Sequence, residues 1–513
     1  MFGAKVDIHS LPDDILLLII SYITVKDIIT LRKSSKKFYE LTKLRWVWSD
    51  AVKRHVIGKG LPIPAAHSAS GIKALSAKHL EARAVHVAKF NDNWSSAQPQ
   101  PRGAVEFSVD TVNAEGNPVA VKEVIFLKGR CGEFLVVWAG DTIECWEVPL
   151  DGSGAYRIAT WTDQGGIRQV VVNEDPKHPT EIAYMSLDPT DPDSANVFVM
   201  ALDTFHGTLI PRTLMRGQRE HISQIHAMYG DFIVMGDPLL VWNTLGPQAT
   251  SIAKLRNDAH VLSKDSDVVL AVKKVTDTLI VVRTKCVEVY SAPVWSTKER
   301  RYSCSGYIVS ALAMDSGPAR EAAIAIRANV EAPEASSSSL SPLPPPVTVL
   351  LSQAAHTLIQ IDLLPRRPSN KGGPTAPYEM PRTPTRVFQI APSSRQLKAS
   401  SGGKGIWLQT HNVTNRRAKH PARCIMGFDV CAPAQDPKPW KSNHCEVALL
   451  MNRPVAEGGS DVHICQSQLY SRRCDMSEIL YKKYCVVAAD LEDSVGRIAV
   501  GDRRGKIEVL DYA

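Results

Sequence analysis

The residues whose chemistry could support catalysis or metal binding lie scattered along the sequence, without the spacing that either activity needs. His444 and Cys445 are adjacent, and His463 and Cys465 lie nearby. Zinc sites usually take close-set ligand pairs, however, and the ten cysteines form no C-x-x-C pair. The glycine run Gly402-Gly403-Lys404-Gly405 lacks the strand-to-helix context of a phosphate-binding loop. With no H-E-x-x-H or G-x-S-x-G motif either, we expect no metal, no cofactor and no catalytic residues.

Composition and charge narrow the class of protein further. The chain has 513 residues, 44% of them hydrophobic and 22% charged, which is the composition of an ordinary globular protein. Its length predicts more than one compact unit, unless most of it forms a large repeat ring. The net charge of +7 is mild, and +5 of it lies in residues 1–60, so a broad nucleic-acid-binding face is not expected.

Compartment can also be inferred from the sequence. No stretch approaches the roughly 18 apolar residues that cross a bilayer, and the N-terminus does not read as a secretory signal. Scattered cysteines are typical of reduced thiols. We therefore expect a cytoplasmic or nuclear protein that contacts neither membrane nor nucleic acid.

Residues 7–54 differ from the rest of the chain and predict a small three-helix module. Ser10 is a candidate N-cap, and Pro12 followed by two aspartates suits the first turn of a helix. The apolar residues from Ile15 to Ile20 cover more than one face of that helix. A second helix is predicted from Lys26 to about Lys33 and a third after Ser34 or Ser35. A module of this size gains stability if a partner covers its second apolar face.

The order of these residues resembles an F-box. Leu11-Pro12-Asp13-Asp14-Ile15, the Asp27-Ile28 turn, Ser35-Lys36-Lys37-Phe38-Tyr39 and a terminal Trp48 fit the family pattern without a gap. Asp14 stands for the usual Glu, Ser34 for Val and Phe38 for the more frequent Trp. A three-helix dimerisation module and a helix-turn-helix DNA binder are the alternatives.

The resemblance implies a partner, because F-box helices dock on the Skp adaptor of SCF (Skp–cullin–F-box) ubiquitin ligases. Amphipathic helices offer i, i+3 and i+4 anchors to an apolar groove. By family position, the adaptor-binding residues would be Leu11, Pro12, Ile15, Ile19, Ile20, Leu31, Lys36 and Trp48. Some of these must form the small core instead, and the sequence does not divide the two sets.

After a helical connector and loop at 55–103, with a helix predicted from about Gly71 to Asn91, residues 104–513 have the character of β-structure. Four pairs of short strands with tight turns are predicted, at 133–148, 232–242, 279–290 and 495–510. An apolar or aromatic residue followed by a polar one closes seven candidate strands, at 146–147, 202–203, 242–243, 290–291, 361–362, 428–429 and 510–511.

The shorter intervals between these seven marks, 40 to 56 residues, match one four-stranded propeller blade. We therefore predict an all-β propeller with seven blades, whose ring would leave no open sheet edges between blades. The last segment, 496–511, resembles the end of a WD-type repeat, and the whole layout resembles fungal F-box proteins with a divergent WD-repeat-like propeller. A pair of β-sandwiches is the alternative.

Two insertions interrupt the β region and are predicted to be disordered, 332–347 with its serine run and 365–386 with its Pro, Gly, Arg and Lys residues. A third loop, Asn412 to His420, carries Arg416 and Arg417 and could attract an acidic or phosphorylated target. A solvated basic loop is the alternative.

Together these features predict a non-catalytic substrate-recognition subunit of an SCF-type ubiquitin ligase, acting in ubiquitin-dependent protein degradation. Its F-box would bind the Skp adaptor and, through it, a cullin, while the propeller would bind an unidentified target protein. Two alternatives are an F-box scaffold outside a ligase and a propeller hydrolase. Converging carboxylates in an acidic central pocket would be the mark of the hydrolase.

Overall fold

The structure is a computed structural model, and it describes the chain in several ranges. These are residues 8–59, 61, 75–94, 96, 99–113, 115–219, 222–237, 239–244, 249–251, 268–292, 294–296, 301–303, 306–307, 318–326, 344–353, 357–366, 377–379, 381, 386–389, 395–400, 403–411, 422–429, 465–471 and 486–513.

The first part of the chain is a helical module, residues 8–59. After a 3₁₀ turn at Ile8–Ser10 it contains α1 (Asp13–Tyr22), α2 (Val25–Leu31), α3 (Lys36–Leu41), α4 (Arg45–His55) and a last 3₁₀ turn at Ile57–Lys59. The sequence predicted three helices here and the structure has four. Trp46 and Trp48, expected to close the segment, lie inside α4. Basic residues in the last turn of α4 suit the negative end of its dipole.

Side-chain caps set two of the helix starts. The Ser35 hydroxyl accepts a hydrogen bond from the Phe38 amide, which confirms one of the two predicted caps of α3. Thr24 caps α2 in the same way through the Asp27 amide, a cap that the sequence reading missed. Ser10 was wrong as the cap of α1, because that helix starts after Pro12 and Ser10 belongs to the preceding 3₁₀ turn.

A single long helix, α5 (Ala77–Trp94), connects the module to the β region. Its buried residues Leu80, Ala84, Val87, Phe90 and Trp94 follow each other at three- and four-residue steps, so they form one stripe. The first three pack into the core of the helical module, and the last two pack into the β region. One apolar face of α5 therefore packs into the core of the helical module at its first half and into the β region at its second half.

The β region is a ring of seven antiparallel sheets, called blades 1–7 here, of which six have four described strands and blade 5 has five. Blade 1 contains β2 (Val121–Phe126), β3 (Phe134–Ala139), β4 (Thr142–Glu147) and β5 (Tyr156–Thr162). Blade 2 contains β6 (Ile167–Val172), β7 (Ile182–Asp188), β8 (Asp191–Asp203) and β9 (Thr208–Gln218). Blade 3 contains β10 (Ile225–Tyr229), β11 (Phe232–Met235), β12 (Leu240–Asn243) and β13 (Ala249–Ser251).

Blade 4 contains β14 (Val269–Val275), β15 (Thr278–Arg283), β16 (Val287–Ser291) and β19 (Gly306–Tyr307), with a separate hairpin of β17 (Val294–Ser296) and β18 (Arg301–Ser303). Blade 5 contains β20 (Ala319–Ile326), β21 (Val347–Gln353) and β22 (Thr357–Pro365), to which β23 (Tyr378–Glu379) and β24 (Arg386–Gln389) both pair. Blade 6 contains β25 (Arg395–Ala399), β26 (Lys404–His411), β27 (Ala422–Asp429) and β28 (Cys465–Ser471).

Blade 7 joins the two ends of the β region. It contains β29 (Val486–Glu492), β30 (Arg497–Asp502), β31 (Lys506–Asp511) and, as its outermost strand, β1 (Gly103–Ser108). Six residue pairs connect β1 to β31, from Gly103↔Asp511 to Ser108↔Lys506. The first strand of the β region therefore completes the sheet formed by the last three, which closes the ring.

Seven buried apolar clusters fill the seven interfaces between neighbouring blades. One cluster, for example, joins Val136 and Trp138 of blade 1 to Tyr184 and Met200 of blade 2. The interface between blades 6 and 7 also receives Phe90 and Trp94 of α5. The eighth cluster is the core of the helical module. The ring is held by packing between blades, as the alternating apolar pattern requires.

The sequence marks coincide with one strand of each blade. All seven fall on a third strand, and six of them end it; Ile361-Asp362 lies within β22. The four predicted strand pairs are second and third strands of blades 1, 3, 4 and 7. The seven-bladed all-β propeller is confirmed.

The two predicted insertions contain ordered ends. Val347 starts β21 and is buried, and Tyr378–Glu379 pairs with Leu364 and Pro365. The prediction of disorder was therefore wrong for these residues. The tyrosine ring is buried in the core between blades 4 and 5, which explains why this part of the insertion is fixed. Residues 332–343, 367–376 and 382–385, and the basic loop 412–420, lie outside the described residues.

Candidate functional site

Helix α1 carries two apolar faces, and the structure separates them. Leu16 and Ile20 are buried in the core of the helical module. Ile15, Leu18 and Ile19 are 40%, 53% and 41% exposed, and Tyr22, one turn further, is 74% exposed. The exposed four follow an i, i+3, i+4, i+7 pattern, which places them along one side of the helix. We call these four residues the α1 outer face.

Exposed apolar residues are concentrated in this part of the molecule. Of the sixteen large apolar side chains that are exposed in the described residues, nine lie between Ile8 and Ile57. Among them are Leu44 and Trp46, at and just after the start of α4. A small module that leaves so much apolar surface in water is typical of a protein-binding site.

The eight residues predicted to bind the adaptor fall into three groups. Pro12, Ile15, Ile19 and Lys36 are exposed, and Leu11 and Leu31 are half-buried. Ile20 and Trp48 lie in the core, and the Trp48 ring nitrogen donates a hydrogen bond of 2.7 Å to the Thr42 carbonyl oxygen. Ile20 and Trp48 therefore stabilise the fold of the module and are not available to contact the adaptor. Sequence reasoning missed Leu18 and Tyr22, although their spacing from Ile15 was the available signal.

Charged groups fix the start of α1 beside this face. The Lys37 ammonium lies 3.1 Å from an Asp13 carboxylate oxygen and donates a hydrogen bond to the Leu11 carbonyl oxygen at 2.9 Å. Lys36 and Lys33 remain exposed. Residues 8–59 together contain ten Lys and Arg against five Asp and Glu, so the module as a whole is basic, which suits an acidic partner.

The centre of the ring contains a second candidate site. A channel of about 980 Å³ opens on the face where the innermost strands of the blades end, and a narrower space of about 360 Å³ opens at the opposite face. Helix α5 lies on the side of the wider mouth, since His86 Nε2 donates a 2.8 Å hydrogen bond to the Val495 carbonyl oxygen in the turn after β29.

Lysines compensate most of the carboxylates that line this channel. Lys398 lies 3.6 Å from Glu123 and 3.5 Å from Asp490, which joins blades 6, 1 and 7. The Lys128 ammonium lies 3.4 Å from the Glu492 carboxylate, and the Lys273 ammonium lies 2.8 Å from the Glu174 carboxylate. The channel is thus a mixed-charge surface, not the acidic pocket that the hydrolase alternative requires.

The pKa values of two carboxylates in the channel are shifted by burial and by these lysines. Burial would raise the pKa of Glu174, but the ammonium groups of Lys273 and Lys128 outweigh it and lower the pKa to about 2. The pKa of Glu123 is raised, mainly by burial and further by Asp490, although Lys398 opposes the shift. The ion pairs connect blades across the channel and contribute to the ring's rigidity.

One hydrogen-bonded set has the shape of a nucleophile, base and acid. His178 lies 2.7 Å from the Thr180 hydroxyl and 2.7 Å from an Asp231 carboxylate oxygen. Thr180 is buried, and neighbouring Asn173 bonds to the Thr180 and Gly230 carbonyl oxygens. The set therefore braces the loops of blades 2 and 3.

The described ranges contain neither a candidate metal site nor a candidate membrane-spanning helix. No group of three or more His, Cys, Asp or Glu side chains there could hold a metal ion. None of the helices described is long and apolar enough to span a bilayer.

The fold and surface define a class of protein in which a small helical interaction module precedes a seven-bladed propeller. Comparison with family models identifies the module: residues 8–50 match the F-box domain. The F-box predicted from the motif order is therefore confirmed. Comparison with curated proteins gives no match for the chain.

Proposed function

We propose that this protein is the substrate-recognition subunit of an SCF-type ubiquitin ligase. The F-box would bind the Skp adaptor, the adaptor would bring a cullin, and the propeller would hold the target protein. The observation that carries the proposal is the α1 outer face, an apolar stripe that is left exposed inside a matched F-box domain.

The proposed mechanism needs no bond chemistry in this chain. A receptor that holds its target near the charged conjugating enzyme raises the effective concentration of the target's lysines there. The α5 stripe supports this role, because it fixes the F-box and the ring to one helix. A cytoplasmic or nuclear location forms part of the same proposal.

Adaptor binding is tested with the full chain carrying Ile15→Asp and Ile19→Asp. Both side chains are already exposed, so the module should fold, while two carboxylates in an apolar contact should weaken adaptor binding by at least about 100-fold. The matched control is Leu150→Asp in the ring, since Leu150 is 40% exposed like Ile15. Binding to purified Skp adaptor is measured by calorimetry. Equal affinity of the double variant and wild type would refute the role of this face.

The scaffold alternative is separated by what accompanies the adaptor. Recovery of both adaptor and cullin with the wild-type chain supports the ligase receptor. Recovery of adaptor without cullin supports the F-box scaffold. The Ile15→Asp/Ile19→Asp chain serves as the background, because it should recover neither.

A further inference from the structure

Strand β9 differs from the outer strands of the other blades. It has 11 residues, whereas the outer strands described elsewhere in the ring have seven or fewer. It pairs only with β8 in its sheet. An edge strand presents alternating amide and carbonyl groups to which another extended chain can pair.

The side chains of β9 alternate along its length. Arg212, Leu214, Arg216 and Gln218 are exposed, whereas the residues between them are half-buried. Residues two apart on a strand point to the same side, so the exposed four form one row. Leu214, in the middle of this row, is 54% exposed.

This row is basic. Arg216 contacts the Asp188 carboxylate, yet its side chain stays 57% exposed. Arg212, and Arg219 just beyond the strand, make no ion pair with any residue that the structure describes. The described part of the edge therefore carries three guanidinium groups, of which that of Arg216 contacts Asp188, while Asp191 and Asp193 lie on the neighbouring strand beside the Arg219 end.

We propose that the β9 edge binds an extended acidic segment of a partner protein by adding it as a further strand of blade 2. Arg212 and Arg216 are four residues apart, which is about 13 Å along a strand. A segment with carboxylates at positions i and i+4 and an apolar residue at i+2 would place these groups opposite Arg212, Arg216 and Leu214.

One detail favours binding over simple protection of the edge. Charges on an edge strand can discourage aggregation, but protection does not require the exposed Leu214 between two arginines. Pro211 and the bulge, which leaves Arg212 without a partner residue on β8, restrict regular pairing of an added strand to residues from Thr213 onward, so that Arg212 would lie beside the end of that strand. The edge runs toward the face opposite α5, so it does not compete with the α1 outer face.

The test uses the full chain and a fluorescein-labelled heptapeptide of sequence S-E-T-V-T-E-S, followed by fluorescence anisotropy. The comparison peptide, S-E-V-T-E-T-S, has the same composition with its carboxylates three residues apart, so they point to opposite sides of a strand. We expect the first peptide to bind at least about fivefold more tightly, and its binding to weaken as salt rises.

The protein variant Arg212→Ala/Arg216→Ala should lose about fivefold or more of that affinity, whereas Arg503→Ala, an exposed arginine in blade 7, should lose none. Equal binding of both peptides, or equal loss in both variants, would overturn the proposal. Stronger competition by a thymidine hexanucleotide than by unlabelled peptide would also overturn it, as would self-association of the chain through β9. The assay contains no adaptor, so its failure is distinguishable from failure of the proposed function.

Discussion

Arg32 connects the F-box to helix α5, and all three nitrogens of its side chain donate hydrogen bonds. Nη1 and Nη2 donate to the Glu81 carboxylate at 2.7 and 3.0 Å, Nε donates to the Thr42 hydroxyl, and Nη2 also donates to the Thr42 carbonyl oxygen. The guanidinium also lies 5.6 Å from the centre of the buried Trp48 ring. Only a planar group with five donors can make this set of contacts.

Arg32→Lys should therefore destabilise the contact between F-box and α5 by about 1–3 kcal/mol, although the charge is kept. The measurement is hydrogen exchange at α3, α4 and α5, which should become faster. Arg54→Lys is the control, because Arg54 lies at the surface, where it contacts the exposed Tyr22 ring and pairs with Asp50 one turn away, and such surface pairs contribute little. Similar exchange in both variants would contradict the role of Arg32.

His86 makes the contact between α5 and the ring sensitive to acid. Burial lowers its pKa below the ordinary 6.5, with Arg497 and Lys89 adding to the shift while the bond to the Val495 carbonyl oxygen and the charge of Asp511 oppose it. The unfolded chain then binds the proton more readily than the folded chain, so stability falls as the pH drops below about 6.5.

His86→Gln should flatten this dependence, because glutamine can donate to the same carbonyl oxygen and does not titrate. The urea midpoint is measured between pH 7.5 and 5.5 for both proteins. We expect the wild type to lose more stability than the variant over this range. Parallel curves would show that His86 is not responsible.

The apolar residues of α1 show which part of the site could not be predicted from the sequence at the residue scale. Its apolar residues predicted two faces, and both exist. Which face is buried depends on partners far along the chain, since Ile20 packs in one core with Leu80 and Val87 of α5. No local pattern could therefore have told Ile20 from Ile19.

At the scale of elements, α5 connects the F-box rigidly to the ring, because its buried stripe packs into the cores of both. Phe90 packs edge-on against Trp94, with ring centres 5.3 Å apart, and lies against the turn at Gly496. Phe90→Ala should weaken the ring end of the helix by about 3–5 kcal/mol. Hydrogen exchange should then rise in 88–94, with less change in 77–84. Lys89→Ala, on the exposed side, should leave both unchanged.

Gly496→Ala tests the same contact between α5 and the ring, this time by a substitution in the ring. Gly496 has φ +71°, and an added Cβ would lie 2.5 Å from the Phe90 ring. We expect the same local increase in hydrogen exchange as for Phe90→Ala. A change confined to blade 7 would show instead that only the turn is strained.

Strand pairs close in sequence could be predicted, and distant ones could not. The pair Ala139↔Thr142 is set by the glycine turn between them, so the sequence predicts it. The bulges that interrupt all seven innermost strands carry no comparable signal. The pairing of Ala104 with Leu510 likewise has no local cause, because it follows from closing the whole ring.

At the scale of the whole molecule, the ring depends on the seam between β1 and β31. Every other blade is formed by strands from one continuous segment of the chain, so only this seam holds the two ends of the β region in one sheet. Its separation would open two strand edges and also expose the apolar groups that β1 covers, such as Ile507 beside Phe107. Unfolding should therefore begin at this seam.

A cross-link across the seam should then stabilise the ring. Glu106 and Glu508 are directly opposite in the register, so Glu106→Cys/Glu508→Cys places two thiols within bonding reach. The oxidised protein should be more stable by about 2–4 kcal/mol, measured as the urea midpoint before and after reduction and with the disulfide located by mass spectrometry. Glu106→Cys/Lys506→Cys is two residues out of register and should not form the bond. If the oxidised and reduced forms of the first variant unfold at the same urea concentration, unfolding starts elsewhere, and the seam is not the weak point of the ring.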